Sequence, residues 1–228
     1  MTPRTESLAV SVARMRAVDE AAIQHVGIPR MLLMEHAGLA VAHAVRRMLP
    51  RQSAPIVACC GMGYNGGDGL CAAWHLRHWG YPIRVALVGD VSQLREEPAI
   101  YARILKALSV SLQELHDEDA AARFARESSG GGLIIDALLG IGITGPVRPV
   151  PAKLIEWMNR QGVPIVAVDI PSGLNADMGL PQGIAVRATT TIAMGLPKQG
   201  YYVGQGPAHV GQIIVDDLTI PPHLLSAS

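Results

Sequence analysis

Between Pro55 and Leu76 the chain passes from an apolar run, PIVACC, into GMGYNGGDG and then LCAAWHL, with no spacer between them. An apolar run, a loop with five glycines in nine residues and a helical pattern predict strand, tight turn and helix. Glycine has no Cβ, so it adopts positive φ and lets a ligand approach the backbone closely. The helix that follows offers unpaired N–H groups at its start, a natural seat for a polar ligand.

The alternation continues on both sides of this junction. Ser11 to Val26 predicts a helix, with Ser11 as N-cap and Gly27 as the stop before Ile28-Pro29. Met31, Met34, Gly38, Val41, Val45 and Met48 recur at the spacing of one buried face and predict a second helix, closed by Pro50. Two helices thus precede the first strand. Pro82 to Val88, Gly132 to Asp136 and Val163 to Asp169 read as strands; Leu94 to Leu108, Asp117 to Glu127 and Pro151 to Arg160 read as helices. Two short strands, Thr189 to Met194 and Gln212 to Val215, follow, joined by LPKQGYYVGQGPAH. Strands that are apolar throughout are covered on both faces, which predicts an α/β fold with a mostly parallel sheet. At 228 residues, 49% hydrophobic and 17% charged, residues 1–228 are expected to form a single domain.

Charge and apolar patterning narrow the class of partner. The 19 basic side chains match 19 acidic ones and form no basic run, so nucleic acid is not an expected partner. No apolar stretch of about 18 residues is present to span a bilayer, and the first residues lack the compact apolar core of a secretion signal. The three cysteines are an odd number, and the neighbours Cys59 and Cys60 lie inside an apolar run, as small buried hydrophobes do. A cytoplasmic protein in a reducing environment is the expectation.

Ligands of open α/β sheets sit beyond the carboxyl ends of the strands. Three such ends carry chemistry here: the glycine loop with Tyr64, Asn65 and Asp68; Asp136 followed by ALLGIGITGP; and Asp169 followed by IPSGLNADMG. Gly61, Gly63 and Gly66 also satisfy a dinucleotide fingerprint, with Asp90 placed as a ribose-binding acid, which is the dehydrogenase alternative. Two features oppose it. About fifty residues precede the glycines, and Asp68, expected to cap the helix start, would repel a pyrophosphate.

Taken in order, VARMRAVDEAAI with GIPRMLLMEHAG, CGMGYNGGDGL, IIDALLGIGITGP, VPIVAVDIPSGLNADMG and GLPKQG resemble the NAD(P)H-hydrate epimerase family, the YjeF N-terminal domain. The resemblance spans nearly the whole chain and implies a three-layer, Rossmann-like α/β/α sandwich, often homodimeric. In many bacteria that domain is fused to a dehydratase domain, and this chain ends before one would begin. The implied activity is the interconversion of R and S hydrates of NADH and NADPH (NADHX and NADPHX), so that a separate dehydratase specific for one of them restores both. The implied substrate contacts are Tyr64, Asn65, Gly66, Gly67 and Asp68; the loop Gly140, Ile141, Gly142, Ile143, Thr144, Gly145 and Pro146; and Asp169. One potassium ion per subunit would be held by Asn65, Asp136 and Ser172.

Amide oxygen, carboxylate and hydroxyl are hard ligands, and the single formal charge of Asp136 suits a monovalent cation; capping of turns is the alternative for Asp136 and Ser172. Asp169 reads as a general acid/base near the hydrated carbon, or else as a turn former. Lys198 shares in proton transfer or meets a phosphate, unless it is an exposed, solvated charge.

The sequence departs from the family pattern at Tyr64, often asparagine, at Ile141, often threonine, at Trp74, often arginine, and at Thr189, often an acid. These departures bear on the grip on substrate and leave open an inactive binding or scaffold member, since an RNA decapping enhancer shares the fold. Elsewhere, His75 and His78 are spaced i, i+3 on a predicted helix with no third metal ligand evident in sequence. Ser172 lacks the GxSxG elbow of a hydrolase.

Overall fold

A computed structural model of the chain describes residues 8–51, 54–128 and 131–226. Its strands are β1 Ile56–Cys60, β2 Ile83–Val88, β3 Ser111–Leu115, β4 Leu133–Ala137, β5 Ile165–Val168, β6 Thr190–Met194 and β7 Gln212–Asp216. They form one sheet in the order β3-β2-β1-β4-β5-β6-β7, and every pairing is parallel. The helices are α1 Val12–Gln24, α2 Arg30–Met48, α3 Tyr64–His78, α4 Glu96–Ala107, α5 Glu118–Glu127, α6 Pro149–Arg160 and the short α7 Pro222–Leu225.

The pleat explains why the strands are apolar on both sides. Ile56, Ala58 and Cys60 of β1 pack in one core with residues of α1 to α4, whereas Val57 and Cys59 pack in a second core with α5 and α6. All five residues of β1 are buried, and the thiols of Cys59 and Cys60 are pushed up by that burial, as expected of small core hydrophobes. The result is the α/β/α sandwich that the sequence implied, with α1 and α2 ahead of β1.

The local signals are physical caps. Ser11 Oγ accepts from Arg14 N–H at 3.2 Å, and Asp117 Oδ1 accepts from Ala120 N–H at 2.7 Å. Helix α4 starts at Glu96 rather than Leu94, after a single 3₁₀ turn at Val91–Gln93, and Pro98 sits in its first turn, where no N–H is needed. Strand β3 escapes the sequence pattern altogether. As an edge strand its residues Ser111, Leu112, Gln113 and Glu114 stay at least partly exposed, and SLQEL lacks the unbroken apolar run of its neighbours. No helix among the described residues is long and apolar enough to cross a membrane.

After β1 the chain winds outward through β2 and β3 and then returns to β4 on the other side of β1. The crevice between the carboxyl ends of β1 and β4 is therefore a topological switch point.

Candidate functional site

The turn leaving β1 is built for close approach. Gly61 N–H donates to the Ala137 carbonyl at 3.0 Å, and a Cβ on Gly61 would stand 2.0 Å from the Leu138 oxygen; one on Gly66 would stand 1.8 Å from the Gly61 oxygen. Among the glycines of this loop none has positive φ, so space rather than left-handed backbone demands them. Helix α3 begins at Tyr64 with Gly63 as a cap that supplies no side chain. Asp68 is therefore not the expected cap. It lies in the second turn of α3 and looks into the cleft.

Beneath the crevice floor, Asp136 and Ser172 are fully buried and tie the ends of β4 and β5 together. Asp136 Oδ2 accepts from Ser172 N–H at 2.8 Å and Oδ1 from Leu138 N–H at 3.4 Å. The Ser172 hydroxyl accepts from Leu139 N–H at 2.9 Å and donates to the Leu139 carbonyl at 3.2 Å, and Asn65 Nδ2 donates to that same carbonyl at 3.2 Å. Burial raises the Asp136 carboxyl to about 6, against the pull of its bonds from Ser172 and Leu138. Asn65, Asp136, Leu139 and Ser172 thus form one oxygen-rich knot, although they come from three strand ends.

The second focus lies one strand over. Asp169 follows β5 directly and has φ of 62°, a left-handed conformation that non-glycine residues rarely adopt. Its backbone N–H donates to the Ile192 carbonyl at 2.9 Å, Met194 N–H donates to its Oδ1 at 3.1 Å, and Tyr201 Oη–H donates to its carbonyl. Lys198 Nζ donates to Oδ1 of Asp169 and, at 2.9 Å, to the Met194 carbonyl. Lys198 is fully buried, which overturns the reading of an exposed, solvated charge; the strap that carries it packs through Tyr201 and Val210 in one cluster with Ala193 of β6 and with Ile170 and Leu174 just beyond β5.

Two further carboxyls face Asp169. Asp68 is held well above the usual carboxylate range by burial, then by the negative charges of Asp169 and Asp19. Asp19, on α1, is raised to about 6 by burial and by Asp169, offset by Lys198 and Arg30. Asp19 was missed from sequence. It lies inside VARMRAVDEAAI, but its spacing is that of any helix surface, and only the packing of α1 over the strand ends turns it inward.

These groups border a cleft of about 1460 Å³. That exceeds the ~300–1,000 Å³ common for drug-sized ligands and leaves room for a dinucleotide. Of the residues implied by resemblance, Tyr64, Asn65, Asp68 and Asp169 line it, as do Gly140, Ile141, Gly142, Ile143, Thr144 and Pro146. Gly66 and Gly67 are instead buried against Gly61 and Met34, and Gly145 turns its loop with φ of 75°.

The Tyr64 ring lies under two guanidinium groups, Arg30 at 4.4 Å and Arg95 at 4.8 Å from its centroid. Asp90, the acid of the dehydrogenase alternative, turns its Oδ1 back to cap Ser92 N–H at 2.7 Å. Thr189 bonds Ile165 at the far, amino end of the sheet, and Trp74 stacks on His75 and Tyr101, so of the four departures only Tyr64 and Ile141 reach the cleft.

The fold and the crevice define an all-parallel α/β domain with a nucleotide-sized cleft at its switch point. Residues 31–200 match the family model described as YjeF-related protein N-terminus, and the chain belongs to that family. It is 37% identical over 213 residues to the NAD(P)H-hydrate epimerase of Limosilactobacillus fermentum, covering 92% of this chain and 96% of that one. It is 35% identical over 225 residues to the bifunctional NAD(P)H-hydrate repair enzyme Nnr of Salinibacter ruber, covering 95% of this chain but only 41% of that protein's length. The crystal structure of the yeast protein ynu0 (YNL200c) superposes with a TM-score of 0.77 at 25% identity, over 91% of this chain and 86% of that one.

Proposed function

We propose that this chain is an isomerase that interconverts the R and S hydrates of NADH and NADPH. The observation that carries the reading is the buried Lys198–Asp169 pair at the carboxyl end of β5, facing Asp68 and Asp19 across the cleft. Inverting the hydrated ring carbon requires its hydroxyl to leave and return, or the ring to open and close, and either route moves protons at the substrate. Asp169, positioned by Lys198 and Met194 N–H, serves as the acid/base that contacts the ring. Asp68, whose carboxyl is pushed upward by burial and by the charges of Asp169 and Asp19, stands beside it as the second carboxyl of the site.

The remaining contacts follow from the cleft's chemistry. The N-terminal N–H groups of α3 and the backbone of the loop 140–146 receive the pyrophosphate, and the Arg30 guanidinium over the Tyr64 ring adds positive charge at the cleft wall. The donor set Asn65, Asp136 and Ser172, together with the Leu139 carbonyl, is all oxygen with one formal charge, and it fits a potassium ion better than zinc or magnesium. Such an ion would supply fixed positive charge beside the phosphate seat. The homodimer and the partner dehydratase belong to the same proposal, as does the reading of residues 1–228 as one functional unit.

The test is to add the protein to pure R hydrate and follow S hydrate by chromatography that resolves the two. Equilibration faster than the spontaneous rate supports the proposal. A rate equal to the blank would reject it.

A further inference from the structure

Outside the cleft, helices α2 and α3 bring together a carboxylate, a thiol and an imidazole. Glu35 Oε1 lies 2.8 Å from His75 Nε2, Cys71 Sγ–H donates to Glu35 Oε2 at 3.4 Å, and Tyr101 Oη–H donates to the same oxygen at 2.7 Å. One ligand atom from each of Glu35, Cys71 and His75 falls within 4.8 Å of the others. Cys71 and His75 are i, i+4 on α3 and so share one face, toward Glu35 on α2. The helices approach this closely because Gly38 has no side chain: a Cβ there would lie 2.3 Å from Cys71 Sγ. Sequence spacing pairs His75 with His78 and finds no third ligand; the structure pairs His75 with Cys71 and Glu35 instead.

We propose that Glu35, Cys71 and His75 form a binding site for a divalent transition-metal cation of the zinc class. Sulfur, imidazole nitrogen and carboxylate oxygen are the donors zinc selects, and three of them leave a fourth position for water. Tetrahedral bonds of about 2.0–2.3 Å place ligand atoms about 3.3–3.8 Å apart; Cys71 meets Oε2 of Glu35 and His75 meets Oε1, so a small turn of the carboxylate gives the ion one oxygen at that span from both partners. The site is graded in exposure: Cys71 is fully buried, His75 has 13% of its side chain exposed and Glu35 has 31%, so an ion enters from the Glu35 side and keeps a water there. Rings of Trp74 and Trp79 brace His75, at 4.6 and 6.0 Å between centroids, which lowers the cost of ordering that ligand. On binding, the thiol releases its proton to solvent and sulfur coordinates as thiolate, so affinity increases with pH. The inference is independent of the chemistry assigned to the cleft.

The test uses the reduced, untagged protein titrated with Co²⁺ as a spectroscopic probe and then with Zn²⁺ against a chromophoric chelator. The expected result is one equivalent of Co²⁺ with a thiolate charge-transfer band and tetrahedral visible bands, both displaced by Zn²⁺. Cys71→Ser removes the charge-transfer band, and Cys71→Ser and His75→Gln each weaken Zn²⁺ at least tenfold, whereas His78→Gln leaves binding unchanged. Circular dichroism checks the fold, and should Cys71→Ser unfold, His75→Gln, at the more exposed edge, decides alone. Absence of the charge-transfer band in the unmodified protein, or equal Zn²⁺ affinity in the unmodified and His75→Gln proteins, overturns the proposal and leaves the cluster as a hydrogen-bonded brace between two helices.

Discussion

Lys198 sets its ammonium on Oδ1 of Asp169 and on the Met194 carbonyl, 2.9 Å away, with no part of its side chain reaching solvent. A charge in that position is tolerated only because its partner is there. The two residues, 29 apart in sequence, are joined by the strand β6 and the strap that follows it.

Asp169→Asn is expected to lower epimerase turnover by roughly 10²–10⁴-fold, the usual contribution of a positioned acid/base. It also leaves the Lys198 charge unpaired, at a cost of roughly 3–5 kcal/mol in stability. The double variant Asp169→Asn with Lys198→Met is expected to recover most of that stability and none of the activity. Denaturant melts and turnover on R hydrate check both parts, and recovery of turnover in the double variant would remove Asp169 from the chemistry.

Asp19 gives a pH signature. Burial and the charge of Asp169 push its folded carboxyl from the ordinary 3.8 up to about 6, so between those values the native state binds more protons than the unfolded chain. Stability from this group is therefore full below about pH 4 and is lost as pH rises through 6. Asp19→Asn, which mimics the protonated form, is expected to raise stability at pH 8 by on the order of 1 kcal/mol, or about 2–4 °C, and to have no effect at pH 3.5. Thermal melts of both proteins at the two pH values measure the difference; an equal shift at both would show that Asp19 is not held protonated.

Potassium is expected to raise the melting temperature relative to the same concentration of tetramethylammonium, growing with the logarithm of concentration once the site fills. Asp136→Asn removes the one formal charge of the oxygen knot and with it the response. A scan across chloride salts at constant ionic strength checks this, and identical melting in both cations would leave Asp136 and Ser172 as locks between strand ends.

The glycine loop supplies a steric prediction. Gly61→Ala forces a Cβ to within 2.0 Å of a backbone oxygen, so the β1–α3 turn must move, and a loss above about 3 kcal/mol is expected. Gly63→Ala meets nothing within 4 Å and should cost about 1 kcal/mol at most, as an N-cap change. Urea unfolding of the pair measures the contrast, and similar midpoints would mean the turn accommodates both.

Much of the molecule was legible in order along the chain. The buried strands announce themselves as unbroken apolar runs because both faces are covered, and Ser11 and Asp117 mark helix starts because each satisfies an orphan N–H within three residues. The edge strand β3 left no such mark, since a strand covered on fewer sides need not be apolar.

The site divides along the same line. Residue types and strand-end positions brought Asn65, Asp136 and Asp169 into view, because a parallel sheet sends its carboxyl ends to one edge, and the family resemblance added Ser172. What the sequence could not decide was burial: that Lys198 is an internal partner and not a solvated charge, that Asp68 and Asp19 face Asp169, and that Cys71 meets Glu35 and His75. Those facts depend on where α1, α2 and the strap after β6 come to rest against the sheet, and contacts between segments distant in the chain are set by packing, for which local spacing carries no signal.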